Sequence, residues 1–203
     1  MISLRNLLIY MLVRCMGEYP FGSLKDREML ANMPLEKLLD FFFLQIRNMW
    51  RVDGLYFLGI EKKFGTEIAT EIDAEVWASM AVIEAKSLKK MFQIGDDPNI
   101  ATIMDCLRKS SWALDQPFKT VETDGKRAIL RIEKCRTQEA RLSKGLCEFP
   151  CKKVRFAYLR NFAKALNPKV EVKCIVCPPD EHPKEYWCEW EYANCLELSL
   201  QIG

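Results

Sequence analysis

The chain has 203 residues, 49% of them apolar and 29% charged, enough to bury a sizeable core in one globular unit without disulfide support. Thirty Lys and Arg against 28 Asp and Glu leave a formal net charge of +2, which argues against nucleic acid or an anionic membrane as a partner. Nine cysteines, an odd number with no secretory signal ahead of them, favour a reducing, cytoplasmic setting where thiols stay free or bind metal.

Residues 1–33 read as an N-terminal extension. Its apolar run Leu7 to Val13 is bracketed by Arg5 and Arg14, lacks a small-residue cleavage site and is too short to span a bilayer. A start at Met29 or Met33 would open directly onto the first clear helix.

Residues 34–94 form the next segment, a helical hairpin. Leu35, Leu38, Leu39, Phe42, Phe43, Ile46 and Met49 recur at three- and four-residue steps, and the pattern continues through Leu55 and Leu58 toward Phe64. Gly65 suits a left-handed end to that helix, and Thr66 is a candidate N-cap for a second one. The second runs through Ile68, Ile72, Val76, Met80, Ile83 and Leu88 to about Phe92, antiparallel to the first. Asp53 and Asp73 lie inside these helices, where Arg51 is placed to pair with Asp73; Trp50, Tyr56, Phe57 and Trp77 suit a core or the wall of a small-molecule pocket.

Gly95 to Asn99 breaks the helix and opens a Cys-rich α+β segment, 95–203, expected to pack with the helices as one unit. Ile100 to Leu114 reads as a third helix. Phe118 to Thr123 and Lys126 to Cys135 flank Asp124-Gly125, the dipeptide of a tight hairpin turn, and Ala128, Leu130 and Ile132 alternate with Ile129, Arg131 and Glu133. A short helix from Thr137 to Gly145 and a longer one from Cys151 to Leu166 follow. Val170 to Val176 and Tyr186 to Leu198 are the last strands, with Val170, Val172, Cys174, Cys188, Trp190 and Tyr192 sharing the apolar face. The order predicts an α+β fold: antiparallel long helices, then a helix-hairpin-helix-hairpin two-layer domain with a four-stranded antiparallel sheet.

The chemistry-bearing residues gather at the C-terminal end, where seven of the nine cysteines occupy the last seventy residues. Soft thiolates select zinc or an iron-sulfur cluster, and Cys147, Cys151, Cys174, Cys177 and Cys188 are the candidate ligands of one shared site. If the loop 178–184 closes a hairpin with Cys177 opposite Glu185, Cys174 falls opposite Cys188 on the buried face. Cys177 then points the other way, and joint chelation needs a bulge or an early turn at Pro178. Cys151 stands at a helix N-terminus after Pro150, where the helix dipole lowers a thiol pKa, so it is the candidate reactive sulfur. Arg136 and Arg141 are placed either to grip a carboxylate or phosphate or to pair with Glu133 or Glu139. His182, in a proline-rich loop, is a further ligand or a solvated turn residue.

Several separated stretches carry a resemblance: Trp50-Arg-Val-Asp-Gly-Leu-Tyr-Phe57, Phe64-Gly65, Asp73, Trp77, Gly145-Leu-Cys-Glu-Phe-Pro-Cys-Lys152, Cys177-Pro-Pro-Asp180, and Trp187-Cys-Glu-Trp190. Over about residues 34–192 the chain resembles an uncharacterised cytosolic domain family related to L-2-amino-thiazoline-4-carboxylic acid hydrolases. The element order also resembles, more loosely, the vinyl reductase-like sensory domain, without its glycine-rich segment between strand pairs; that likeness implies a small hydrophobic ligand and a metal.

Two readings result. In one, the protein is a metal- and small-molecule-binding module that forms a homodimer. In the other it is a hydrolase opening a small heterocycle such as a thiazoline carboxylate, with Arg141 on the carboxylate and metal-bound water or the Cys151 thiolate as nucleophile.

Overall fold

In the computed structural model, residues 22–194 are described, and the chain divides into two compact units between Gln45 and Ile46. The expectations placed on Leu7 to Val13, on Cys15 and Cys195, and on the strand beyond Asn194 lie outside the described residues. In the first unit, Ser23 and Asp26 form a reciprocal capping box that starts helix α1 (Leu24–Ala31).

Helix α2 (Leu35–Met91) begins in that unit and continues into the second, interrupted at Gly65, whose φ of 86° and ψ of 165° only glycine adopts readily. Within the second unit the two limbs run antiparallel. The Trp50 ring stacks on Trp77 at 4.4 Å and 5°, and Trp77 Nε1 donates to Asp53 Oδ1 at 3.0 Å.

The limb after Gly65 buries a different face from the one its β-branched residues mark out. Ala69, Ala74, Trp77, Ala81 and Ala85 are buried, whereas Ile68, Ile72, Val76 and Ile83 are exposed. Small alanines allow another backbone to approach closely, and the Asn161 side chain duly reaches Ala78 O at 3.2 Å.

Helix α3 (Ile100–Leu107), capped by Asn99, ends earlier than the periodicity predicts. Ser110 caps a separate short helix α4 (Ser111–Asp115) by accepting from Ala113 N, so local side-chain bonding outcompetes helix propagation there. Strands β1 (Lys119–Thr123) and β2 (Arg127–Ile132) pair antiparallel, with Thr123 opposite Ala128. Asp124 N donates to Arg127 O at 3.3 Å, so the tip is Gly125-Lys126, one residue later than Asp124-Gly125, and Asp124 Oδ1 braces it by accepting from Lys126 N and Arg127 N at 2.8 Å. Helices α5 (Arg136–Leu142) and α6 (Lys152–Leu166) follow, then β3 (Val170–Val176) and β4 (Cys188–Asn194).

The sheet is four-stranded and antiparallel, in the order β1-β2-β4-β3, which gives the α+β architecture expected. Its inner face carries Ala128, Leu130, Ile132, Trp190 and Tyr192, and the core cluster continues through Ile100, Ile103, Tyr158, Leu159 and Phe162. Burying each large aliphatic side chain contributes roughly 1.5–3 kcal/mol. Because β4 is internal, Glu191 on the opposite face is itself buried and is answered by Arg127 at 3.4 Å. Among the described residues no helix is long and apolar enough to cross a membrane.

Candidate functional site

A cavity of about 470 Å³ opens in the second unit between the limbs of α2 and the segment from α4 to Phe149. That size lies within the range of small-molecule sites. Trp50, Leu55, Phe57, Leu58, Leu146 and Phe149 form its apolar wall, and Gly54 opens it by lacking a side chain.

Its charges come from separate elements. Arg141, on α5, is buried and fully engaged: its Nη1 and Nη2 donate to Glu61 at 3.0 and 2.9 Å, and Nε donates to the Cys147 carbonyl at 2.9 Å. The fork expected to grip a ligand therefore holds an internal carboxylate, and the partner is Glu61 on the facing helix, not Glu139 along its own. Asp115, at the end of α4 and 5% exposed, lies 3.0 Å from Arg47 and 3.7 Å from Arg136. Burial raises its carboxyl to about 6, with Arg47 opposing the rise.

Asp53 and Asp73 face each other from the two limbs. Burial is the main cause that pushes Asp73 up to about 7; the Asp53 charge adds to it, and Arg155 and the Trp77 N–H oppose it. Asp53 is raised in the same direction by burial, against the Trp77 hydrogen bond and Arg155. The Arg155 guanidinium carbon lies over Trp112, 4.3 Å from the ring centre. The expected Arg51–Asp73 pair does not form, since Arg51 turns to Asn48 Oδ1 at 3.0 Å on its own helix.

The sulfurs lie apart from this cavity's lining. Cys151 caps α6 and its Sγ is 3.5 Å from Cys177 Sγ. Cys177 and Cys188 are buried, and hydrogen bonding to Cys151 first and Cys188 second drives the Cys177 thiol far above its ordinary range, so Cys177 holds its proton. The same contact lowers Cys151, helped by Arg155 one turn along the helix and opposed by burial. Gln138 Nε2 approaches Cys151 Sγ at 3.7 Å and bonds Phe149 O at 2.8 Å, tying the thiol to the loop that precedes it.

The single five-cysteine centre expected from the spacing does not assemble. Cys174 stands opposite Trp190, because the β3–β4 register set from Val170 opposite Asn194 has reached only Trp190 there, before the bulge that follows Cys174, and on the other side of β4 Cys188 stands opposite Ile132, next to Trp187, whose N is pinned to Ile132 O at 2.8 Å. Burial raises the Cys174 thiol to about 11, while Cys147 is exposed on the loop before α6. Among the described residues no group of three or more His, Cys, Asp or Glu side chains is arranged to hold a metal ion. His182 packs against Trp187 at 4.7 Å and bonds the Pro183 carbonyl.

Asp115, Glu61 and Arg47 do not stand out in the sequence, since each is a single charged residue in or beside a helix marked by its apolar periodicity. The available signal was the one that flagged Asp53 and Asp73, a carboxylate on the inward side of an apolar helix.

The family of unknown function DUF6125 matches residues 31–194. No curated protein matches the chain. Among solved structures, the phenol-responsive sensory domain of the transcription activator PoxR, determined with phenol, is similar at 16% identity and a TM-score of 0.47, over 75% of this chain and 79% of that one. At that similarity the likeness assigns no ligand.

Proposed function

The chain belongs to that family of unknown function, and from its cavity we propose that it is a small-molecule-binding module. The observation that carries this is the cavity itself: about 470 Å³, walled by Trp50, Phe57 and Phe149, with carboxylates and guanidinium groups converging on it from α2, α4 and α5. Apolar walls with a few placed charges are the general anatomy of ligand sites. The hydrolase reading with Cys151 as nucleophile finds no support in this geometry, because Cys151 is not among the residues lining the cavity.

Trp50 lines the cavity and supplies the test. Ligand entry changes tryptophan emission and raises the melting temperature, and Ala140→Trp, which fills the space from α5, removes both responses. A screen in which the filled variant responds like the parent would reject the cavity as the binding site.

The exposed stripe Ile68, Ile72, Val76 and Ile83 supports the homodimer expected from the sequence. It runs straight along one helix and, repeated by a two-fold axis, meets a copy of itself.

A further inference from the structure

We infer that the ligand of this cavity is a small organic ammonium whose charge sits beside Asp53 and Asp73 and whose apolar body lies against Trp50, Phe57 and Phe149. This rests on the binding reading above and names its ligand class.

Arg141 is satisfied by Glu61 and Arg47 by Asp115, while Arg136, the second guanidinium near Asp115, is exposed and screened by water. Arg51 and Lys144 are exposed, so water screens them at the rim. What remains inside is the Asp53–Asp73 pair, answered among the described residues by one Trp77 N–H and by the charge of Arg155, whose guanidinium also lies against the Trp112 ring.

Burial first and mutual repulsion second make the doubly ionised pair costly, and a proton held on the pair lowers that cost. A cation inserted beside them relieves it better and displaces that proton. The ammonium nitrogen donates to carboxylate oxygens, no covalent bond changes, and the released proton leaves to solvent. A neutral phenol would leave the repulsion in place, and a carboxylate would add to it.

Occupation therefore depends on pH through Asp73, which is about 7 in the empty protein. Below that value the ligand competes with a proton; above it the site is already ionised. Affinity for an ammonium rises about ten-fold from pH 6 to pH 8 and then levels off.

The test is calorimetric titration of the full chain with phenethylamine, 3-phenylpropionate and phenol at pH 6 and pH 8, in buffers of different ionisation enthalpy. The expected result is that phenethylamine binds at least ten-fold tighter than the other two and releases a proton at pH 6. Asp53→Asn and Asp73→Asn each weaken it about ten-fold, and the Asp73→Asn complex loses its pH dependence. Asp73→Asn removes a repulsion, so this variant stays folded even if Asp53→Asn does not. Tight binding of phenol or phenylpropionate with no preference for the amine overturns the ammonium inference and leaves the cavity reading standing. Silence from all three compounds, with Trp50 emission unchanged, overturns both.

Discussion

At the scale of single residues, Asp73 in the cavity wall and Glu61 behind Arg141 are shifted in opposite senses and so give opposite slopes of stability against pH. Asp73 is raised to about 7 in the folded protein, so between its ordinary value of 3.8 and about 7 the native state holds more protons than the unfolded one. Stability therefore falls as pH rises through that window, and the penalty is complete above it. Asp73→Asn should flatten the slope and stabilise the protein by about 2 kcal/mol at pH 8, as followed by urea unfolding. Glu61 behaves the other way. Arg141 holds its carboxyl below the ordinary 4.5, so its contribution is whole at neutral pH and is lost on acidification through its folded pKa. Glu61→Gln should cost about 3 kcal/mol at pH 7, because it leaves the buried Arg141 charge without its counterion. A loss below about 1 kcal/mol would show that water answers Arg141 instead.

At the scale of elements, the decisive feature is the reversal at Gly65 that brings Trp50 to Trp77 and Asp53 to Asp73. A Cβ at Gly65 would meet no neighbour within 4 Å, so the cost of Gly65→Ala is confined to the backbone conformation and should be about 2 kcal/mol. Thermal melts check this, and an unchanged melting temperature would mean that the chain turns equally well without a glycine. The turn was legible in Phe64-Gly65-Thr66, as were the hairpin around Asp124 and the start of α6 at Cys151. The face of the second limb was not. Its isoleucines gave the stronger periodic signal, yet alanine spacing governs how near another helix can come, and that depends on a partner that periodicity does not reveal.

At the scale of the whole molecule, the same inversion leaves an apolar stripe on the outside. Val76 is 55% exposed, so Val76→Glu should change stability by less than about 0.5 kcal/mol and yet abolish the proposed self-association in sedimentation experiments. A dimer of unchanged affinity in the variant would remove this stripe from the interface. The sulfur cluster shows how strand register orders a site. Cys174 and Cys188 were expected opposite one another, but the register that pairs Val170 with Asn194 puts Cys174 opposite Trp190, while Cys188 meets Ile132 on the other side of β4 and Cys177 reaches Cys151.

Alternating and helical periodicities, caps and glycines by themselves determined the order of elements, the antiparallel sheet and the antiparallel helical pair, because these are local consequences of backbone geometry. Only the tertiary structure decided that Arg141 belongs to Glu61, that Asp53 and Asp73 share one wall, and that an alanine face points inward. Those outcomes depend on distances between residues far apart in the chain, and the free energy of a charge is set by what happens to stand beside it.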